Sequence, residues 1–230
     1  MMKILVVTSY NNKLYKEYAH RFKKTYNWKF DLKVYNEDED MFDLIPECKA
    51  FVDRNKSKFI PDTPEGFYID GVRFCYKVYA YTHAILNEKD YDYIIGIDAD
   101  SVFYKEMTEQ FVRTRLYSPD KMMTYLGRGE QYSECGFLGF NMQHPETINY
   151  ATEMRRMYDS DEIYNLDEQH DSYVWDHIRL RFEGKRRVKN LNIGDNKGGH
   201  VQARSVLGNF YDHTKGKERK LKGRSKEFRG

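Results

Sequence analysis

"YDYIIGIDADSVF", residues 91–103, is an apolar run that closes on two aspartates one residue apart. A run of this length without a polar break reads as a strand buried on both faces, as in the middle of an α/β sheet. Asp98 and Asp100 fall just past its carboxyl end, where ligands of α/β sheets gather. A buried carboxylate is costly unless it is paired, hydrogen-bonded or bound to a cation. On extended backbone an i, i+2 pair points to one face, so both side chains can approach one ion. Mg²⁺ or Mn²⁺ takes such oxygens and completes its shell with phosphate and water. The plainer reading is that one aspartate caps the next turn.

Upstream, "KILVVTSY" (3–10) is a second strand-length apolar run, and "LYKEYAHRFKKTY" (14–26) carries Leu14, Tyr18 and Phe22 at helical spacing. "FDLKVY" (30–35) completes a strand–helix–strand opening, the start of a parallel sheet. Residues 36–65 turn from acidic to basic and contain Pro46, Pro61 and Pro64, which predicts mostly loop with little helix. "GVRFCYKVYAYTHAILNE" (71–88) is a helix by its stripe of Val72, Cys75, Tyr79, Thr82 and Leu86. Beyond the DxD run, "MMTYLG" (122–127) and "CGFLGFNM" (135–142) read as strands, while "PETINYATEMRRMY" (145–158) and "HDSYVWDHIRLRF" (170–182) read as helices. The expectation is a three-layer α/β/α domain with a mostly parallel sheet over residues 1–214. The basic tail 215–230 is expected to be partly lid-like or flexible.

Net charge is only +2 for 230 residues, which argues against a nucleic-acid protein by bulk charge and against a disordered acidic chain. Cys48, Cys75 and Cys135 are odd in number and far apart, with no CxxC, so a disulfide framework or zinc site is not expected. A reducing, cytoplasmic compartment fits that pattern. The N-terminal apolar run is too short for a signal h-region or a membrane span.

This ordered series of a first strand, a helix with basic residues and a hydrophobic strand ending in DxD resembles the GT-A, nucleotide-sugar-dependent glycosyltransferases, from Lys3 to about Lys220. The resemblance implies a Rossmann-like GT-A fold, Mn²⁺ or Mg²⁺, a nucleoside-diphosphate-sugar donor and a hydroxyl acceptor. It implies that Asp100 ligates the metal while Asp98 touches the metal's water or the ribose, and that a late histidine completes the site. "FYDHTKGKERK" places His213 there, with Lys215, Lys217 and Arg219 to offset diphosphate charge; His200 in "KGGHVQ" is the competing ligand. Arg73 and Lys77, one helical turn apart, are donor-binding candidates, as are Thr8, Ser9 and Tyr10 after the first strand. Each also has an ordinary reading, as the polar side of an amphipathic helix or as a turn. "SECGFLGFN" matches an acceptor-side strand with Gly136 and Gly139, and "EQHDSYVWD" matches the segment that holds a carboxylate base. Asp171 is the candidate base with Glu168 behind it, against a plain helix N-cap.

Three other readings compete. "GIDADSV" with the later "IGDN" (193–196) resembles the haloacid-dehalogenase-type phosphatases, with Asp98 as nucleophile and Asp100 as acid/base. That family opens on its DxD strand, whereas here almost a hundred residues come first. A nucleotidyltransferase would use the same metal logic. A nucleic-acid-binding module would rest on the basic tail and the tyrosines alone.

Overall fold

The structure, a computed structural model, describes residues 1–58, 60 and 63–227. Pro61 and the last three residues of the basic tail lie outside the described residues. The central sheet has six strands in the order β2-β1-β3-β6-β5-β7, with β1 at Ile4–Tyr10, β2 at Asp31–Asn36, β3 at Tyr93–Ile97, β5 at Met123–Arg128, β6 at Gln131–Asn141 and β7 at Leu191–Asn192. β1 runs parallel to both β2 and β3, and β5 runs parallel to β7. Only β6 runs against its neighbours. A mostly parallel sheet flanked by helices is the architecture that the strand–helix–strand opening predicts.

Both faces are covered, which explains the unbroken apolar strands. Leu5 and Val7 of β1 pack into one core with Phe51, Tyr79, Tyr158 and Trp175. Ile4 and Val6 pack into the other with Phe22, Val112, Leu116 and Tyr211. The first core lies under the helices Pro46–Asn55, Gly71–Asn87, Thr147–Asp159 and Asp171–Arg186. In β3 the glycine is a packing requirement: a Cβ on Gly96 would sit 2.3 Å from the Tyr81 ring. Trp175 is a core residue, 1% exposed.

The region 36–65 departs from expectation. Pro46 opens a ten-residue helix, Pro46–Asn55, whose buried face carries Cys48, Phe51 and Asn55. Proline at the first helical position costs no hydrogen bond and has a suitable φ, so it starts this helix rather than breaking it.

A second, two-stranded sheet joins β4 (Ser101–Phe103) to β8 (Tyr211–His213), antiparallel, with Ser101 opposite His213. β4 follows the DxD directly, so this pairing carries the late histidine to the carboxyl end of β3. Residues 215–227 then fold back. The Lys217–Lys222 helix has its Lys220 carbonyl held by Arg21, 2.5 Å, and Ser225 bonds to the Asp212 carboxylate through its backbone N–H and hydroxyl.

Among the described residues no helix is long and apolar enough to cross a membrane. The three cysteines are buried and unpaired with one another as disulfides.

Candidate active site

Asp98 and Asp100 leave the end of β3 beside β6, where the Asp98 amide donates to the Gly136 carbonyl at 3.2 Å. His213 reaches the same spot from β8. Its Nε2 is 3.0 Å from Asp100 Oδ1 and 3.6 Å from Asp98 Oδ2. One ligand atom from each of the three residues lies within 4.8 Å of the others. The register of β8 is fixed at Asp100 itself, whose carbonyl accepts from both the amide and hydroxyl of Thr214 (2.9 and 2.6 Å).

The His213 ring lies in a cradle made by the absence of a side chain. A Cβ on Gly136 would meet its Cε1 at 2.4 Å and its Nδ1 at 2.5 Å. Gly136→Ala is therefore expected to push the imidazole off Asp100. A loss of about 1–3 kcal/mol in stability should accompany it, with weaker Mn²⁺ binding by calorimetry; unchanged metal affinity would show that the ring position does not matter.

Charges around the cluster are paired in a chain. Lys77 is half-buried, its side chain 14% exposed, and its ammonium touches Asp98 Oδ1 (2.5 Å), Asp171 Oδ2 (2.7 Å) and the Cys135 carbonyl (2.7 Å). Burial works against its charge, but Asp171 and Asp98 hold its pKa well above the ordinary lysine value. Burial also opposes ionisation of Asp171, and Lys77 outweighs it, leaving that carboxyl below the usual range. Asp98 goes the other way, since burial raises it against the pull of Lys77 and His213. Asp100 is held well below the usual range: His213 and Lys220, whose Nζ is 3.0 Å from Oδ2, overcome its burial. On β6, Glu134 is 3% exposed and binds Lys215 Nζ at 2.7 Å. Burial opposes its charge too, yet Lys215, His213 and Arg128 bring it down to about 2.

The proposed residues do not all converge. Asp98, Asp100, His213, Lys77, Asp171 and Lys215 share one connected cluster. Asp171 is the first residue of its helix, and His170 is the N-cap, accepting from the Tyr173 amide. Glu168 lies beyond, bonded to the Tyr132 hydroxyl (2.7 Å) and His170 Nε2 (2.8 Å). Arg73 is an exposed turn away from Lys77, with its guanidinium over the Phe67 and Phe74 rings. Arg219 binds Glu227, and Lys217 is exposed at the start of the last helix. Thr8 is fully buried, and Tyr10 packs with Tyr15 at 5.6 Å. His200 sits behind the cluster, its Nε2 on the His213 carbonyl at 2.8 Å. Asp195 of "IGDN" is bound by Arg204 (2.6 Å) and is not part of the carboxylate–imidazole cluster. Lys220 belongs to the basic tail expected to cover the donor, whereas Glu134 is not among the sequence candidates. Glu134 stands in a stretch dominated by glycine and phenylalanine, where an inward carboxylate was the available signal.

Close to Ser9 and Tyr10, Glu37 accepts from Asn11 Nδ2 at 3.0 Å, and burial pushes its carboxyl up to about 7. A folded-state value above the ordinary 4.5 means the native protein holds a proton that the unfolded chain gives up. Stability is then lost as pH rises from the lower value through the higher one. Glu37→Gln is expected to stabilise the protein more at pH 8 than at pH 5, by about 1–3 kcal/mol at the upper end, read from melting curves at the two pH values. Equal shifts at both pH values would refute the buried acid.

The residues fit a divalent cation. Two carboxylates and an imidazole are suited to Mg²⁺ or Mn²⁺, and His213 Nδ1 is buried without a hydrogen-bond partner. Lys77 and Lys220 occupy the carboxylates as cations of lower charge would.

No protein-family model matches the sequence, and no curated protein matches it in sequence. Solved structures do match the fold. A glycosyltransferase involved in the glycosylation of the major capsid of PBCV-1 superposes with a TM-score of 0.52 at 8% identity, over 96% of this chain and 98% of its own. The apo form of mouse xyloside xylosyltransferase 1 gives 0.43 at 9% identity, over 84% and 85%. The apo glycosyltransferase GlyE of Streptococcus pneumoniae TIGR4 gives 0.45 at 11%, over 84% of this chain and 46% of its own. Identities this low speak to the backbone alone, and the argument rests on the first. The chain has the three-layer GT-A fold.

Proposed function

We propose that the protein is a metal-dependent glycosyltransferase that moves a sugar from a nucleoside-diphosphate-sugar donor to a hydroxyl acceptor. The observation that supports it is the Asp98–Asp100–His213 cluster at the carboxyl end of β3 in a GT-A fold. Asp100 and His213 would ligate Mn²⁺ or Mg²⁺, with Asp98 as the third ligand or holding its water. When bound, the metal is a Lewis acid that stabilises the departing diphosphate. Lys220 and Lys215, now on Asp100 and Glu134, are placed to turn toward phosphate oxygens and form charge-assisted hydrogen bonds. Residues 215–227 would then act as a strap over the donor. Lys77 orients Asp98 and Asp171 together. Asp171, ionised at neutral pH, is the proposed acceptor of the incoming hydroxyl's proton, and Glu168 the reserve.

The test is calorimetry with UDP and GDP, with and without Mn²⁺. Micromolar binding that requires the metal is expected for one of them. Binding of neither with Mn²⁺ would remove the reading. A phosphoaspartyl mimic trapped on Asp98 by beryllium fluoride would put the phosphatase in its place.

A further inference from the structure

A cavity of about 380 Å³, lined by none of Asp98, Asp100, Asp171 and His213, opens between the β5–β6 hairpin, the Asp171–Arg186 helix and the loop around Asn192–Asn196. Its wall carries three rings in sequence. Tyr132 meets Tyr173 edge-on at 5.0 Å, and Tyr173 lies nearly parallel to His177 at 6.1 Å. Of its charged lining residues, Arg128, Asp176 and Arg179 are ion-paired, while Glu130 is exposed. Arg179 binds Asp176 (3.0 Å) and Glu183 (2.9 Å) and covers the Tyr125 ring at 4.1 Å. Asp176 also takes the Ser133 amide at 2.7 Å, and Arg128 is turned to Glu134. Burial and Arg181 lower the His177 pKa, so that ring is neutral at pH 7.

These features select a class of ligand. With Arg128 and Arg179 both bound to carboxylates, a phosphate chain gains no counter-charge, and a polyamine would meet the single exposed carboxylate of Glu130. An acyl chain would strip water from Asp176, Arg179 and Asn192 without returning hydrogen bonds, which is costly. A pyranose suits both halves, because its C–H faces carry the positive edge that the negative face of an aromatic ring attracts, and its hydroxyls bond to amides and carboxylates. The place fits as well. β6 passes from the cavity at Gln131–Ser133 to the ionised cluster at Glu134–Gly136, and three residues of strand span about 10 Å. That distance is more than one sugar ring. Tyr132 closes the link, bonding through its hydroxyl to Glu168.

We propose that this cavity is an acceptor subsite for a neutral carbohydrate chain, one ring or more back from the hydroxyl that reacts, held by stacking on Tyr132, Tyr173 and His177. The proposal rests on the glycosyltransferase reading above, and it narrows the acceptor from any hydroxyl compound to a glycan.

The experiment uses the full chain and two probes. One is a printed array of neutral oligosaccharides alongside unmodified peptides; the other is calorimetry with UDP or GDP and Mn²⁺. Wild type is expected to bind one group of glycans and no peptide. Tyr173 is partly exposed, so its variants should fold. Tyr173→Ala should weaken glycan binding about tenfold, Tyr173→Phe should retain it, and the nucleotide affinity should be the same in all three. Nucleotide binding without any glycan signal above that of Tyr173→Ala overturns the subsite and leaves the transferase reading standing. Peptides retained in place of glycans also overturn it. Glycan binding without metal-dependent nucleotide binding overturns the transferase reading, and the acceptor role falls with it.

Discussion

Asp100→Ala is expected to abolish Mn²⁺-dependent binding of UDP or GDP while the chain stays folded. The side chain holds three things at once in the structure: His213 Nε2, the Lys220 ammonium and a place in the carboxylate–imidazole cluster. Mutating the groups that merely orient metal ligands costs about 10–100-fold in metal affinity, so loss of a ligand should cost more than about 100-fold. The fold should survive because the groups left behind have alternatives. The Lys220 side chain is 32% exposed and can turn to water. The Asp100 contribution that fixes β8 is its backbone carbonyl, which alanine keeps. Calorimetry with and without Mn²⁺, with circular dichroism as the control for folding, decides the matter. Nucleotide affinity that still depends on Mn²⁺ to the same degree would remove the central claim.

The part of this site that a reader of the sequence can recover is the part made by neighbours in the chain. β3 announces itself because both faces of the strand are buried, which removes every polar residue from "YIIGI". Asp98 and Asp100 follow it by one and three positions, so their place at the carboxyl end of the sheet comes with the strand. His213 is different. It reaches the cluster through the pairing of Ser101 with His213, more than a hundred residues apart, and the local sequence favours it over His200 only by the cations that follow it. The difference appears once β8 forms, because His200 then lies behind the His213 backbone.

The Pro46–Asn55 helix was hidden for another reason. The prolines of this region read as breakers, whereas Cys48, Phe51 and Asn55 recur at i, i+3 and i+7, the spacing of one helix face. Lys77 was legible as a basic residue on the right helix. Its partners were not, because one lies on the DxD turn and the other opens a helix nearly a hundred residues later.

That three-way contact makes Lys77→Met the substitution with the largest expected effect on stability. Methionine matches the length of the aliphatic stem and fills the space, so packing is nearly conserved. What disappears is the charge between Asp98 and Asp171. Removing one partner of a buried pair leaves an uncompensated charge, typically at about 3–5 kcal/mol, and here two carboxylates lose the same partner. The Asp98 side chain is 27% exposed and keeps some water, so the lower part of that range is expected. For a domain of this size that corresponds to a fall of about 6–12 °C in melting temperature. Two further measurements separate this cause from general damage. Asp171→Asn in the Lys77→Met background should recover much of the loss, because residues sharing one ion pair are not additive. Mn²⁺ should also recover part of it, since a cation at Asp98 replaces the missing charge and binding stabilises the native state by mass action. It should recover none in Lys77→Met with Asp100→Ala. If the losses from Lys77→Met and Asp171→Asn simply add, the two side chains do not depend on each other, and Lys77 is not the link between the metal cluster and the proposed base.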